Sequence, residues 1–113
     1  MIKIYHNPRC RKSREGLELL QKSGHEFEVV HYLDDVPSEE ELKTIIQYLE
    51  IAPEALVRKS ESIWKENYKG KSLSNDEIIR AMVKYPKLIE RPIVIRDKTA
   101  VIGRPTEKIK PLL

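Results

Sequence analysis

The sequence predicts an α/β fold. A β-α-β unit comes first, a layer of helices is inserted, and a β-β-α unit closes the chain, both ends sharing one mixed four-stranded sheet. Three observations carry this. Two short extended runs, residues 2–6 and 27–32, flank a helical run. Residues 38 to about 89 carry helical patterns and no strand of their own. Two further extended runs, residues 92–96 and 100–102, are separated only by a tight turn at Asp97-Lys98-Thr99.

Ile2-Lys3-Ile4-Tyr5-His6 alternates and is β-branched, and Asn7-Pro8 ends it. Residues 11–23 form a helix with Leu17 and Leu20 inward, stopped by Gly24. Phe27 to Tyr32 is the second strand, so the unit is β-α-β, with a crossover expected to be right-handed and strands expected to lie parallel. After Asp34-Asp35-Val36-Pro37, Ser38 to Glu41 reads as a capping box, and Leu42, Ile45, Ile46 and Leu49 make an apolar stripe at helical spacing. Pro53 opens a short helical turn, and residues 61–68 form another. Ser74 to Glu77 repeats the capping box, with Ile78, Ile79, Met82 and Val83 inward. Past Gly103-Arg104-Pro105, residues 106–113 form a last short helix with Ile109, Leu112 and Leu113 inward. This element order describes a thioredoxin-like core in one domain over residues 1–113, with the helical insert at about 38–89.

The totals exclude several classes. A chain of 113 residues with 40% hydrophobic and 35% charged residues is globular rather than disordered. A net charge of +3, with one Phe, one Trp and scattered tyrosines, gives no basic and aromatic nucleic-acid surface. No apolar stretch approaches the roughly 20 residues that span a bilayer, and no signal-peptide core is present at the start. One cysteine forms no internal disulfide and no Cys-rich zinc site, which fits a reducing cytoplasm. No metal ligand spacing is present, and a cytoplasmic monomer is expected.

That cysteine, Cys10, lies where the first strand gives way to the helix, between Asn7-Pro8-Arg9 and Arg11-Lys12-Ser13-Arg14. Free N–H groups of a helix start carry partial positive charge and stabilise a thiolate. They also cradle a tetrahedral oxyanion. The alternative, a small buried hydrophobe, fits the cationic neighbours poorly. Ser13 occupies the place of a second cysteine in a C-x-x-C pair, so an external thiol must resolve any oxidised intermediate. Ser13 itself either caps the helix or donates to the thiolate.

His6-Asn7-Pro8-Arg9-Cys10 with Ser13-Arg14 resembles the active-site segment of the glutaredoxin-coupled arsenate reductase family, the ArsC type. Tyr32-Leu33, Pro37-Ser38, Leu56-Val57-Arg58-Lys59, Glu90-Arg91-Pro92-Ile93-Val94 and Gly103-Arg104-Pro105 continue the resemblance in the right order. Arg11-Lys12, where family enzymes commonly carry small residues, and the chain end soon after Arg104 resemble its shorter branch.

The resemblance implies Cys10 as nucleophile and Arg58, Arg91 and Arg104 as ligands of arsenate or a similar small oxyanion. It implies that His6 helps to ionise the thiol, which a protonated imidazole would do, and that Pro92 is the cis-proline beside it. No bound cofactor is implied; glutathione and glutaredoxin are the external reductants and partners. The residues support the arginines independently, since guanidinium forks suit tetrahedral oxyanions and a following proline holds Arg91 and Arg104 extended. His25 and His31 read as structural or exposed. Two other functions stay open: a monothiol oxidoreductase acting on glutathione mixed disulfides, and an RNA-polymerase-binding regulator of the Spx type, which commonly carries the C-x-x-C lacking here.

Overall fold

The computed structural model describes all 113 residues, Met1–Leu113. They divide into two compact units: Met1–Asp35 together with Arg91–Leu113, and Val36–Glu90.

In the first unit, β1 (Ile2–Tyr5) and β2 (Phe27–Val30) pair in parallel across α1 (Arg11–Ser23). β3 (Ile93–Arg96) runs antiparallel to β1, and β4 (Thr99–Ile102) antiparallel to β3, giving the sheet order β2-β1-β3-β4. Both leading strands are shorter than the sequence suggested. His6 still donates its N–H to Val30 O at 2.9 Å, but Asn7 then turns the chain. At the end of β2, His31 O accepts from the N–H groups of Asp34 and Asp35, which bends the backbone away. The hairpin turn is also one residue tighter, because Thr99 pairs with Arg96 inside the ladder. Asp97 absorbs the tighter turn in the left-handed region at φ 56°.

α1 buries Ser13, Gly16 and Leu20, one stripe at helical spacing, while Leu17 is half-buried. Gly24 at φ 79° closes it. Ile2 and Ile4 of β1, Val94 of β3, Leu20, Ile109 and Leu112 form the core of this unit. Each fully buried Ile or Leu among them contributes about 1.5–3 kcal/mol. The final element, Thr106–Leu112, is a 3₁₀ helix rather than an α-helix. Pro111 has no N–H to donate to Glu107, so an α-ladder cannot run through it. Ile109 and Leu112 point inward as expected, and Leu113 is half-buried.

The second unit holds α2 (Glu39–Leu49), α3 (Ser62–Asn67), α4 (Asn75–Lys84) and short 3₁₀ turns at Pro53–Leu56 and Pro86–Leu88. Ser38 Oγ accepts from Glu41 N, and three glutamates in the first turn favour the helix dipole. At Ser74 both halves of the capping box are made. Leu42, Ile45 and Ile46 of α2 are buried, as are Ile78, Ile79, Ala81 and Met82 of α4, whereas Leu49 and Val83 are half-buried. The layer is not wholly free of β structure. Val57 and Ile89 form an antiparallel bridge, flanked by Arg58 N to Leu88 O and Glu90 N to Leu56 O. No helix of the chain is long and apolar enough to cross a membrane.

Candidate active site around Cys10

Strand register gathers the first unit's candidate residues at one end of its sheet. Tyr5 is opposite Ile93, and Ile93 is opposite Ile102. One step beyond, Gly103 donates to Pro92 O at 2.8 Å. Arg91 and Arg104 are one step further still, on the two arms of the same hairpin. The loop from His6 to Cys10 leaves β1 at that same end. Arg91–Pro92 is cis, as the resemblance implied, and Arg104–Pro105 is cis as well.

The loop is held by its own hydrogen bonds. Cys10 N donates to Asn7 O, Arg9 N to Asn7 Oδ1, and Arg14 Nη1 to Pro8 O. Cys10 is therefore the N-cap of α1, in extended geometry (φ −95°, ψ 122°), and its carbonyl accepts the first helical bond from Arg14 N. The half-buried sulfur makes no full capping hydrogen bond. Burial pushes the thiol pKa up, but the Ser13 N–H, the Arg91 guanidinium and the Lys12 N–H outweigh it and hold the pKa below its ordinary value. Of the cations clustered in the sequence, none near Cys10 is the main one. Arg11 and Lys12 both turn to Glu15, at 3.3 and 3.5 Å, and Glu15 also accepts from Thr106 Oγ1 at 3.3 Å.

Ser13 does neither of the things expected of it. Its buried hydroxyl oxygen accepts from Asn7 N at 2.9 Å and lies 2.6 Å from His6 Nδ1. The hydroxyl has one proton to donate and two lone pairs to accept with, so it pairs with Nδ1 in either tautomer of the ring. This setting opposes the protonated His6 that the resemblance implied. Burial lowers its pKa first, and the nearby His31 and Arg14 lower it further, against a smaller opposite effect of Ser13. The ring ties the end of β1 to the first turn of α1 through Ser13.

His31, which the sequence reads as structural or exposed, is exposed and lies beside His6. Parallel pairing of Tyr5 with Val30 makes His31 the lateral neighbour of His6, and the two rings meet edge-on at 5.9 Å. Close packing at Pro92 was hidden in the sequence. A Cβ on Gly16 or Gly103 would come within 3.0 Å of the Pro92 ring, and one on Gly103 within 2.9 Å of Ile109.

Arg58 belongs to the second unit. Its guanidinium is half-buried between two carboxylates, Glu61 at 2.8 Å and Glu90 at 3.6 Å. No group of three or more His, Cys, Asp or Glu side chains is placed to hold a metal ion.

A four-stranded mixed sheet with a cis-proline and an acidified solitary thiol at a helix start defines a thioredoxin-like protein of the monothiol kind. The chain belongs to the ArsC family, whose model matches residues 5–112. It is 44% identical to an arsenate reductase of Neisseria meningitidis serogroup A over 114 residues, covering 99% of this chain and 97% of that one. It is 46% identical over 110 residues to the uncharacterized protein YfgD of Escherichia coli, covering 96% and 92%. Among solved structures, an arsenate reductase from Vibrio cholerae superposes with a TM-score of 0.95 at 46% identity, covering 99% of this chain and 97% of that one.

Proposed function

We propose that this chain is an arsenate reductase whose Cys10 thiolate is the nucleophile, with glutathione and glutaredoxin as reductants. The observation that carries the reading is the acidified thiol beside Arg91, at the sheet end that also bears Arg104. An oxyanion is met there by helix N–H groups and guanidinium forks, which also stabilise charge developing in the transition state. Arg58 joins the oxyanion ligands in this reading, in competition with Glu61 and Glu90. Pro92 shapes the thiol's surroundings, and His6 acts through Ser13 on the loop.

The steps balance as follows. The Cys10 thiolate bonds to arsenic while an arsenate oxygen, having gained two protons, leaves as water; arsenic stays pentavalent. Glutathione adds its sulfur to arsenic and a second water departs. A glutaredoxin thiolate then attacks the glutathione sulfur, and the electron pair of that S–As bond passes to arsenic. A mixed disulfide leaves, arsenic is trivalent, and water releases arsenite from Cys10. The protein supplies no bound cofactor in this scheme. In this reading it acts as a single-domain monomer in the cytoplasm, a reducing compartment in which its one thiol stays free.

The test is arsenate reduction with glutathione and glutaredoxin, run beside Cys10→Ser. Turnover by the parent chain and none by the folded variant is expected, and appreciable turnover by the variant overturns the reading. A glutathionylated peptide competing in the same assay separates the second reading, a monothiol oxidoreductase, which the solitary cysteine favours. Exclusive consumption of the peptide would establish that one instead.

A further inference from the structure

A cleft of about 290 Å3 opens beside the loop that leads to Cys10. His6 to Arg9 line it from the loop after β1, and His31, Leu33 and Asp34 from the turn after β2. Its size is at the lower end of small-ligand sites, enough for part of a peptide and too small for a protein segment of any length. Arg91 and Arg104 do not line it, so it is separate from the proposed oxyanion ligands.

Its chemistry is bipolar. Arg9 brings a guanidinium and Asp34 a carboxylate, both exposed, and neither is committed to an ion pair, with each other or with any other group. Pro8 and Leu33 add apolar surface, and His6 and His31 add imidazole rings. A bare oxyanion is a poor match, because Asp34 repels it. A ligand carrying one carboxylate and one ammonium on a short frame satisfies both charges at once. That is the α-amino-acid end of a small molecule. The chain has a single cysteine, so whatever Cys10 holds must be met by a thiol from outside. Arg9 is the residue before Cys10, which puts the cleft next to the place where that thiol has to arrive.

We propose that this cleft binds the zwitterionic α-amino-acid end of the small thiol that resolves Cys10, its carboxylate on Arg9 and its ammonium on Asp34. The inference rests on the proposed function only in using Cys10 as a nucleophile that an external thiol must meet.

The experiment uses the full chain as Cys10→Ser, so that no thiol chemistry intervenes, titrated with S-methylglutathione and with S-methylcysteine and followed by amide NMR shifts. Shifts concentrated at residues 7–9 and 31–34 are expected. Arg9→Ala and Asp34→Ala each weaken binding by at least about tenfold. Analogues with the amine acetylated or the α-carboxylate amidated lose the same affinity. Binding of both probes assigns the cleft to cysteine-type thiols in general, and binding of the peptide alone to γ-glutamyl peptides. Equal binding of blocked and free analogues, or shifts confined to Arg91 and Arg104, overturns the proposal. Both substituted side chains are exposed, and a thermal melt verifies that the variants fold. No arsenate enters this titration. A chain that fails to reduce arsenate leaves the cleft standing, and an active reductase with no shift at Arg9 and Asp34 removes the cleft alone.

Discussion

His6 Nδ1 and Ser13 Oγ are 2.6 Å apart, with both side chains shut off from solvent. The same oxygen accepts the N–H of Asn7, so one alcohol joins the end of β1, the loop and the first turn of α1. Ser13→Ala removes it and leaves a buried ring nitrogen and a partly buried N–H unpaired. A loss of about 1–3 kcal/mol in urea unfolding is expected. The backbone N–H of Ser13 survives the substitution, so thiol alkylation should still show a lowered pKa. A variant as stable as the parent would mean that solvent replaces the hydroxyl.

Arg91 is the one side chain whose charge and hydrogen bond both lower the Cys10 pKa. Arg91→Ala therefore moves the thiol upward, and iodoacetamide alkylation measured against pH shifts in the same direction. Arg91→Lys keeps the charge without the planar fork and falls between. An unchanged alkylation profile in Arg91→Ala would assign the acidity to the helix start alone.

His6 has a folded pKa below its ordinary 6.5. As pH falls through that range the unfolded chain takes its proton first, and stability is lost until pH passes the lower folded value. His31→Gln, at an exposed site, removes one of the depressing charges. The His6 titration followed by NMR should move up, and the acid-side loss of stability should shrink. An unmoved His6 would leave burial as the whole cause.

Gly103→Ala drives a methyl group against Cδ1 and Cγ1 of Ile109 and against the Pro92 ring, and Ile109 is fully buried, so its tip has little room to swing away. Destabilisation of about 1–3 kcal/mol is expected from overpacking. Because Arg91 and Arg104 hang from the same hairpin, the variant should also bind arsenate more weakly than its stability at low temperature would suggest. Unchanged affinity in a folded variant would uncouple the packing from the site.

Much of this was legible because local chemistry acted locally. Ser38 and Ser74 cap helices where their neighbours said they would, and Gly24 ends α1 in the left-handed conformation that its sequence position required. What escaped was set by partners distant in sequence. The bridge between Val57 and Ile89 joins residues that neither alternate nor resemble each other in context. The charge of His6 depended on its burial and on His31, and the duty of Ser13 depended on a ring seven residues away. The last helix is tightened to 3₁₀ at Pro111, whose missing donor is visible in the sequence itself.

Glu15 has a wider consequence. Two cations next to Cys10 in the chain spend their charge on this one carboxylate, while Thr106 helps to orient it. The local balance around the thiol is a subtraction, and a tally of nearby arginines and lysines overstates the field at sulfur. Exchange of Glu15 for a neutral residue would leave every anion-facing group in place and yet make the entrance more positive.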